Sequence, residues 1–285
     1  MTRKNERFFY FPTFFIAKGE IIFPRIKPIR IHVVTSLILI IVGSSIIYSS
    51  FNASTSQGSS TQLSDSAPVS LKSPQWAGYV AMSNLILREA EVTIVTGSWT
   101  VPSIEPTAND AYSSVWVGVG GFGEASLVQT GTAQQSVDGI VTYYAWYEFL
   151  PNRAIRIQNF TVMPGDEITA SVKLIDANDH IWTVEIRDVT RGTSFSRDVM
   201  YRSSRLSAEW IVEAPSLSGN VTPLADFGSV TFSGCFATIA DTTGAISSLP
   251  GYQLVMYDSQ DVQLVDVSAL NAGGSGFTVT YSKNT

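Results

Sequence analysis

The sequence predicts an all-β protein, a β-sandwich of two antiparallel sheets packed face to face, preceded by one N-terminal transmembrane helix. Three observations carry this reading. Strand-like segments separated by turn signals recur from Gln75 to the end of the chain. No stretch there shows helical periodicity, and no internal repeat is evident. Upstream, Ile31 to Phe51 runs without an acidic or strongly basic side chain and is long enough to cross a bilayer of about 30 Å.

In chain order, residues 1–30 form a basic segment holding seven bases and two acids. Arg25, Lys27 and Arg30 directly precede the apolar run, and no charge follows until Asp65. The positive-inside rule therefore places residues 1–30 in the cytoplasm and everything after Phe51 outside. Residues 31–51 read as a signal anchor, with a cleaved signal peptide as the competing reading; either way the remainder is exported, membrane-anchored at the cell surface or secreted. Residues 52–74, rich in Ser, Thr and Gln, read as a stalk. Residues 75–285 form the sandwich domain. Asn52-Ala53-Ser54, Asn159-Phe160-Thr161 and Asn220-Val221-Thr222 fit the glycosylation acceptor pattern, which accords with export.

Within the domain, strands are expected near Trp76 to Met82, Glu91 to Val101, Ser114 to Val119, Ser126 to Thr132, Val141 to Phe149 and Glu167 to Ile175. Further strands are expected near Ile181 to Val189, Ser194 to Tyr201, Ala208 to Glu213, Ser229 to Phe236, Tyr252 to Val265 and Phe277 to Tyr281. Turns are marked by Pro164-Gly165-Asp166, Arg191-Gly192, Pro250-Gly251 and Gly273-Gly274.

Side chains alternate across a strand, which sorts the polar and aromatic residues by face. In S-A-E-W-I-V-E-A-P (Ser207 to Pro215), Glu209, Ile211 and Glu213 point one way and Trp210 and Val212 the other. The Cβ atoms of the two acids would lie about 13 Å apart, beyond sharing a proton or flanking one bond. A chemical partner for either must come from another strand. Trp116 shares a face with Gly118 and Gly120, and Gln129 with Leu127 and Gly131. Tyr144, Trp146 and Glu148 share a face, as a groove wall or as an aromatic layer over the core.

Composition narrows the chemistry. The net charge of −6 conceals an asymmetry, because residues 31–285 hold eleven bases against twenty-two acids. Such a surface repels nucleic acid. His32 and His180 are the only histidines and Cys235 the only cysteine, so a zinc site of several His and Cys ligands cannot be assembled; no metal and no cofactor is expected. His180 reads as a surface residue in a turn entering a strand, and Cys235 as an inert core thiol. Asp241-Thr242-Thr243-Gly244 is not an aspartic-protease motif, having one threonine too many and no second copy. Carboxylates and amides remain.

Six segments in order carry a resemblance: W-A-G-Y at Trp76, G-S-W-T-V-P at Gly97, W-V-G at Trp116, Q-T-G at Gln129, Y-Y-A-W-Y-E at Tyr143 and A-E-W-I-V-E at Ala208. Together they resemble the glutamic peptidases, or eqolisins, over nearly the whole exported domain. The resemblance implies two long curved sheets, concanavalin- or jelly-roll-like, whose concave face binds an extended polypeptide. It implies Gln129 and Glu213 as the catalytic residues and Trp76, Trp116 and Glu148 as cleft residues; Tyr144 and Trp146, beside Glu148 in its motif, complete the expected substrate-binding set. Glu209 receives no role. The chain departs from the fungal pattern at Gly120 and near Ala133, where that pattern carries aspartates, and it lacks the fungal cysteines.

The expected function is thus an exported acid endopeptidase, a monomer acting on unfolded or extended polypeptides. Glu213 would activate water and protonate the leaving amine while Gln129 stabilises the oxyanion. Two alternatives stand beside it: a carbohydrate-binding or adhesive sandwich, and a glycosidase using Glu148 with Glu213, whose carboxyls would need to lie about 5 to 9.5 Å apart.

Overall fold

The computed structural model describes residues 69–83 and 91–282. The expected basic segment, the 31–51 span and most of the stalk lie outside the described residues; among the described ones, no helix is long and apolar enough to cross a membrane.

The strands are β1 (Val69–Ser73), β2 (Trp76–Met82), β3 (Val92–Thr100), β4 (Ala111–Gly120), β5 (Leu127–Val137) and β6 (Ile140–Phe149). There follow β7 (Ile155–Arg156), β8 (Glu167–Asp176), β9 (Ile181–Asp188), β10 (Thr193–Met200), β11 (Ser207–Glu213) and β12 (Ser216–Leu217). The last are β13 (Asn220–Val221), β14 (Ser229–Ile239), β15 (Thr242–Ala245), β16 (Gly251–Met256), β17 (Val265–Val267) and β18 (Phe277–Tyr281). One turn of 3₁₀ helix at Ile246–Ser248 interrupts them. The all-β expectation holds.

Two eight-stranded sheets form. The first runs β1-β16-β2-β11-β4-β5-β6-β7; the second runs β10-β9-β8-β3-β14-β18-β17, with β15 paired to β14. Three details differ from the sequence reading. β1 falls within the stretch read as stalk, and it joins the sheet edge by pairing in parallel with β16. The single strand expected from Tyr252 to Val265 is two strands in different sheets, separated by the Asp258–Asp261 turn, where Asp261 takes a positive φ. β5 runs five residues past Thr132, because Ala133 to Val137 continue the ladder with β6.

Alternation places one face of the first sheet against the second. Ala77 and Tyr79 of β2, Val115, Val117 and Val119 of β4, and Trp210 and Val212 of β11 meet Trp99, Ile168, Trp182, Phe232 and Val279 in the main core. Two indole N–H groups stitch the layers: Trp210 donates to the carbonyl of Thr96 at 2.6 Å, and Trp99 to the hydroxyl of Thr132 at 3.0 Å. Gly97 makes room for this, since a Cβ there would sit 2.9 Å from Cδ1 of Trp210. Gly78 has φ +139°, and a Cβ on it would lie 2.1 Å from the carbonyl oxygen of Trp210. The first sheet can therefore bring β2 and β11 together only with glycine there. Cys235 is fully buried in this core, where burial pushes its thiol pKa up.

The opposite, outer face of the first sheet holds a second apolar cluster, including Trp76, Val80, Tyr112, Trp116, Tyr144, Trp146 and Ile211. Gln129, Glu148, Glu209 and Glu213 lie on this face.

Candidate active site

The outer face is best read as rows that cross the strands, because the register fixes which side chains stand abreast. One row is Glu209, Gly118, Gln129 and Glu148 on β11, β4, β5 and β6. The next is Ile211, Trp116, Gly131 and Trp146. The third is Trp76, Glu213, Ser114, Ala133 and Tyr144, beginning on β2. All seven residues of β11 are buried, so neither of its acids stands on a solvated face.

Glu213, 1% exposed, is held by three N–H donors. Its Oε1 accepts from Nε1 of Trp76 at 3.1 Å and from Nε2 of Gln75 at 3.3 Å; its Oε2 accepts from Nε1 of Trp116 at 2.8 Å. The two indoles meet edge to face, with centroids 5.0 Å apart. Gln75 is itself oriented by the hydroxyl of Ser216, which donates to its Oε1 at 3.4 Å. Burial pushes the Glu213 pKa up to about 8, and the two indole bonds pull against that rise by favouring the anion. The geometry suits a carboxylate and the surroundings suit a neutral acid. Such a group changes protonation when the amount of water around it changes.

Gln129, also fully buried, donates from Nε2 to Oε2 of Glu148 at 2.8 Å. Its Oε1 has no hydrogen-bond partner among the described residues, and neither has the buried hydroxyl of Ser114, directly opposite Glu213. Buried polar atoms of this kind are rare in folded proteins and mark places where water or a ligand is bound. Glu209 is fully buried as well; burial holds its pKa well above the usual carboxylate range.

The structure thus brings Trp76 and Trp116 to Glu213, and Glu148 to Gln129, and puts Tyr144 and Trp146 on the same face. It does not join Gln129 to Glu213 directly: they stand two strands and four residues apart, about 16 Å between Cα atoms, with the Trp116 row between them. Glu148 and Glu213 are three strands apart, about 20 Å between Cα atoms, and each is held by different donors, so the paired-carboxylate arrangement of a glycosidase is not formed.

Glycines shape the site. A Cβ on Gly131 would lie 2.2 Å from the carbonyl oxygen of Val115 and 2.6 Å from Cβ of Trp116, so its bareness lets the Trp116 ring lie over β5. At Gly120, where φ is +89°, a Cβ would meet the carbonyl of Ser126 at 2.4 Å and Oε1 of Glu124 at 3.0 Å.

A sequence profile described as the Peptidase A4 family matches residues 74–281. The chain belongs to the peptidase A4 family. It is a glutamic-type endopeptidase, a hydrolase of peptide bonds. Among its relatives, aspergillopepsin-2 of Aspergillus niger is 31% identical over 233 residues, covering 73% of this chain and 78% of the relative. Scytalidopepsin B of Scytalidium lignicola is 29% identical over 198 residues, covering 64% and 72% respectively. The fold matches a crystal structure of scytalido-glutamic peptidase with a transition state analog inhibitor, at TM-score 0.62, 23% identity, and coverage of 73% of this chain and 98% of that one. It also matches aspergilloglutamic peptidase from Aspergillus niger, at TM-score 0.53, 29% identity, and coverage of 60% of this chain and 99% of that one.

Three residues of the peptidase's outer face escaped the sequence reading. Gln75 precedes the first motif and carries no periodic signal. Ser114 looks like any strand serine until the register sets it opposite Glu213. Arg156 lies on a two-residue strand too short to recognise from pattern.

Proposed function

We propose that the peptidase is exported and cleaves extended polypeptides on the outer face of its first sheet through a Gln129/Glu213 dyad. The observation that supports this best is the setting of Glu213: a buried acid on which three N–H donors converge, with no cation paired to it among the described residues. A structural carboxylate is ordinarily buried with an arginine or lysine. An acid held by neutral donors can gain and lose a proton without breaking an ion pair.

When a substrate and its attacking water enter, the desolvation of Glu213 falls while the indoles continue to donate. Its pKa then drops toward the ordinary glutamate range, near 4.3, and the carboxylate takes a proton from water as the water attacks the scissile carbonyl. The same group returns the proton to the departing amine. Gln129 cannot titrate, and its amide donates to the oxyanion. Glu148 presents that amide by accepting its other hydrogen. The substrate's peptide group occupies the space over the Trp116 row that separates the two side chains, so the dyad acts from both sides of the bond.

Residues 31–51 serve as the membrane anchor and place the catalytic domain outside, as a monomer. Assay of the full-length protein on unfolded protein substrates from pH 2 to 7 tests the reading. Cleavage with an acid optimum supports it; glycan retention without cleavage at any pH would replace it with a binding sandwich.

A further inference from the structure

Arg156 sits at the β7 edge of the first sheet, opposite Trp146 in the register, and so shares the outer face with Tyr144, Trp146 and Glu148. Its guanidinium carbon lies 4.9 Å from the centroid of the Tyr144 ring. The residue is exposed, and among the described residues no carboxylate lies within ion-pair distance of it. Tyr144 is buried, so the ring forms a fixed platform. A guanidinium resting on an aromatic face keeps its N–H edge for a ligand and loses little further freedom when one binds.

The charges around it make the position more specific. Residues 31–285 carry a net charge of −11. An acidic peptide approaching such a surface is repelled, and an exposed cation at the edge of the site reverses that locally.

We propose that Arg156 forms a carboxylate-binding subsite, which makes the peptidase prefer substrates carrying an Asp or Glu side chain on the β7 side of the scissile bond. This rests on the outer face being the substrate-binding face. The planar fork of the guanidinium takes both oxygens of a carboxylate, a geometry that an amide isostere does not reproduce with charge. A lysine in the same substrate position meets repulsion.

The test separates the subsite from the catalysis. Labelled peptides with a single Glu, Gln or Lys moved along an otherwise neutral sequence are bound to the full-length Glu213→Gln protein and followed by fluorescence anisotropy. At pH 5.5 and low salt, glutamate binds about tenfold tighter than glutamine at one position, and lysine binds weaker than either. Adding Arg156→Gln removes the difference, and Arg156→Glu inverts it. The same order holds in kcat/KM for the unblocked protein. Equal binding of the Glu and Gln peptides at every position, binding of none of them, or a preference that survives Arg156→Gln, overturns the proposal and leaves Arg156 as a charge that only blunts the sheet edge. The charge order in binding without any cleavage keeps the subsite and refutes the dyad instead.

Discussion

Gln129 donates its side-chain amide to Oε2 of Glu148 at 2.8 Å, across the ladder that joins β5 to β6. The non-titrating member of the proposed dyad is therefore oriented by an acid that need not take part in proton transfer. Replacing Glu148 by Ala leaves the amide free to rotate, so kcat falls about 10- to 100-fold with little change in KM. Glu148→Gln retains an acceptor oxygen and keeps most of the activity. Steady-state kinetics on one peptide, with thermal midpoints to check folding, distinguish the two.

The indoles of Trp76 and Trp116 favour the ionised form of Glu213. Trp116→Phe keeps the ring and removes the donor, which raises the Glu213 pKa further. The acid limb of the kcat profile, which reports the substrate complex, then shifts upward by about one pH unit, and activity on that limb drops about tenfold. Trp76→Phe acts in the same direction. A pH–rate profile of each variant checks the shift.

Burial raises the pKa of Glu213 from 4.5 to about 8, and that of Glu209 in the same direction. Below pH 4.5 these carboxyls are protonated whether the chain is folded or not, and they leave stability unaffected. Between pH 4.5 and 8 the unfolded chain releases a proton that Glu213 retains in the folded chain, so stability falls as pH rises, by about 1.4 kcal/mol per unit; Glu209 acts in the same direction. Urea denaturation at pH 4 and pH 7 shows the domain more stable in acid, and Glu213→Gln reduces the difference.

Gly131→Ala drives a methyl group into the carbonyl of Val115 and the Trp116 side chain. Backbone cannot yield as a side-chain tip can, and the expected loss is about 3 kcal/mol. Gly118→Ala meets side-chain atoms alone, Leu127, Trp116 and Gln129, at 2.9 to 3.2 Å. It costs less stability and displaces Gln129, so it reduces kcat more than the melting temperature. Chemical denaturation and kinetics on both variants separate the effects.

Much of this was legible in the sequence because alternation is a strict rule. Glu209, Ile211 and Glu213 share a face as the period of two requires, and the Tyr144, Trp146 and Glu148 face follows likewise. The choice between groove wall and core layer needed the register, which periodicity within one strand does not contain. The register is what puts Gln129 abreast of Glu209 and sets Ser114 opposite Glu213. β1 was illegible because V-S-L-K-S is short and follows a Ser-rich run; it is a strand through its pairing with β16. The long Tyr252 to Val265 segment misled because apolar residues flank the turn on both sides, although its own Asp258-Ser259-Gln260-Asp261 run is a turn signal.

The central claim is that Glu213 and not Glu209 carries the proton, although Glu209 stands in the row of Gln129. Measuring kcat/KM on one peptide for Glu213→Gln, Gln129→Ala and Glu209→Gln decides it. The account predicts losses of at least about 1,000-fold in the first two and less than about tenfold in the third. An active Glu213→Gln beside an inactive Glu209→Gln would contradict it.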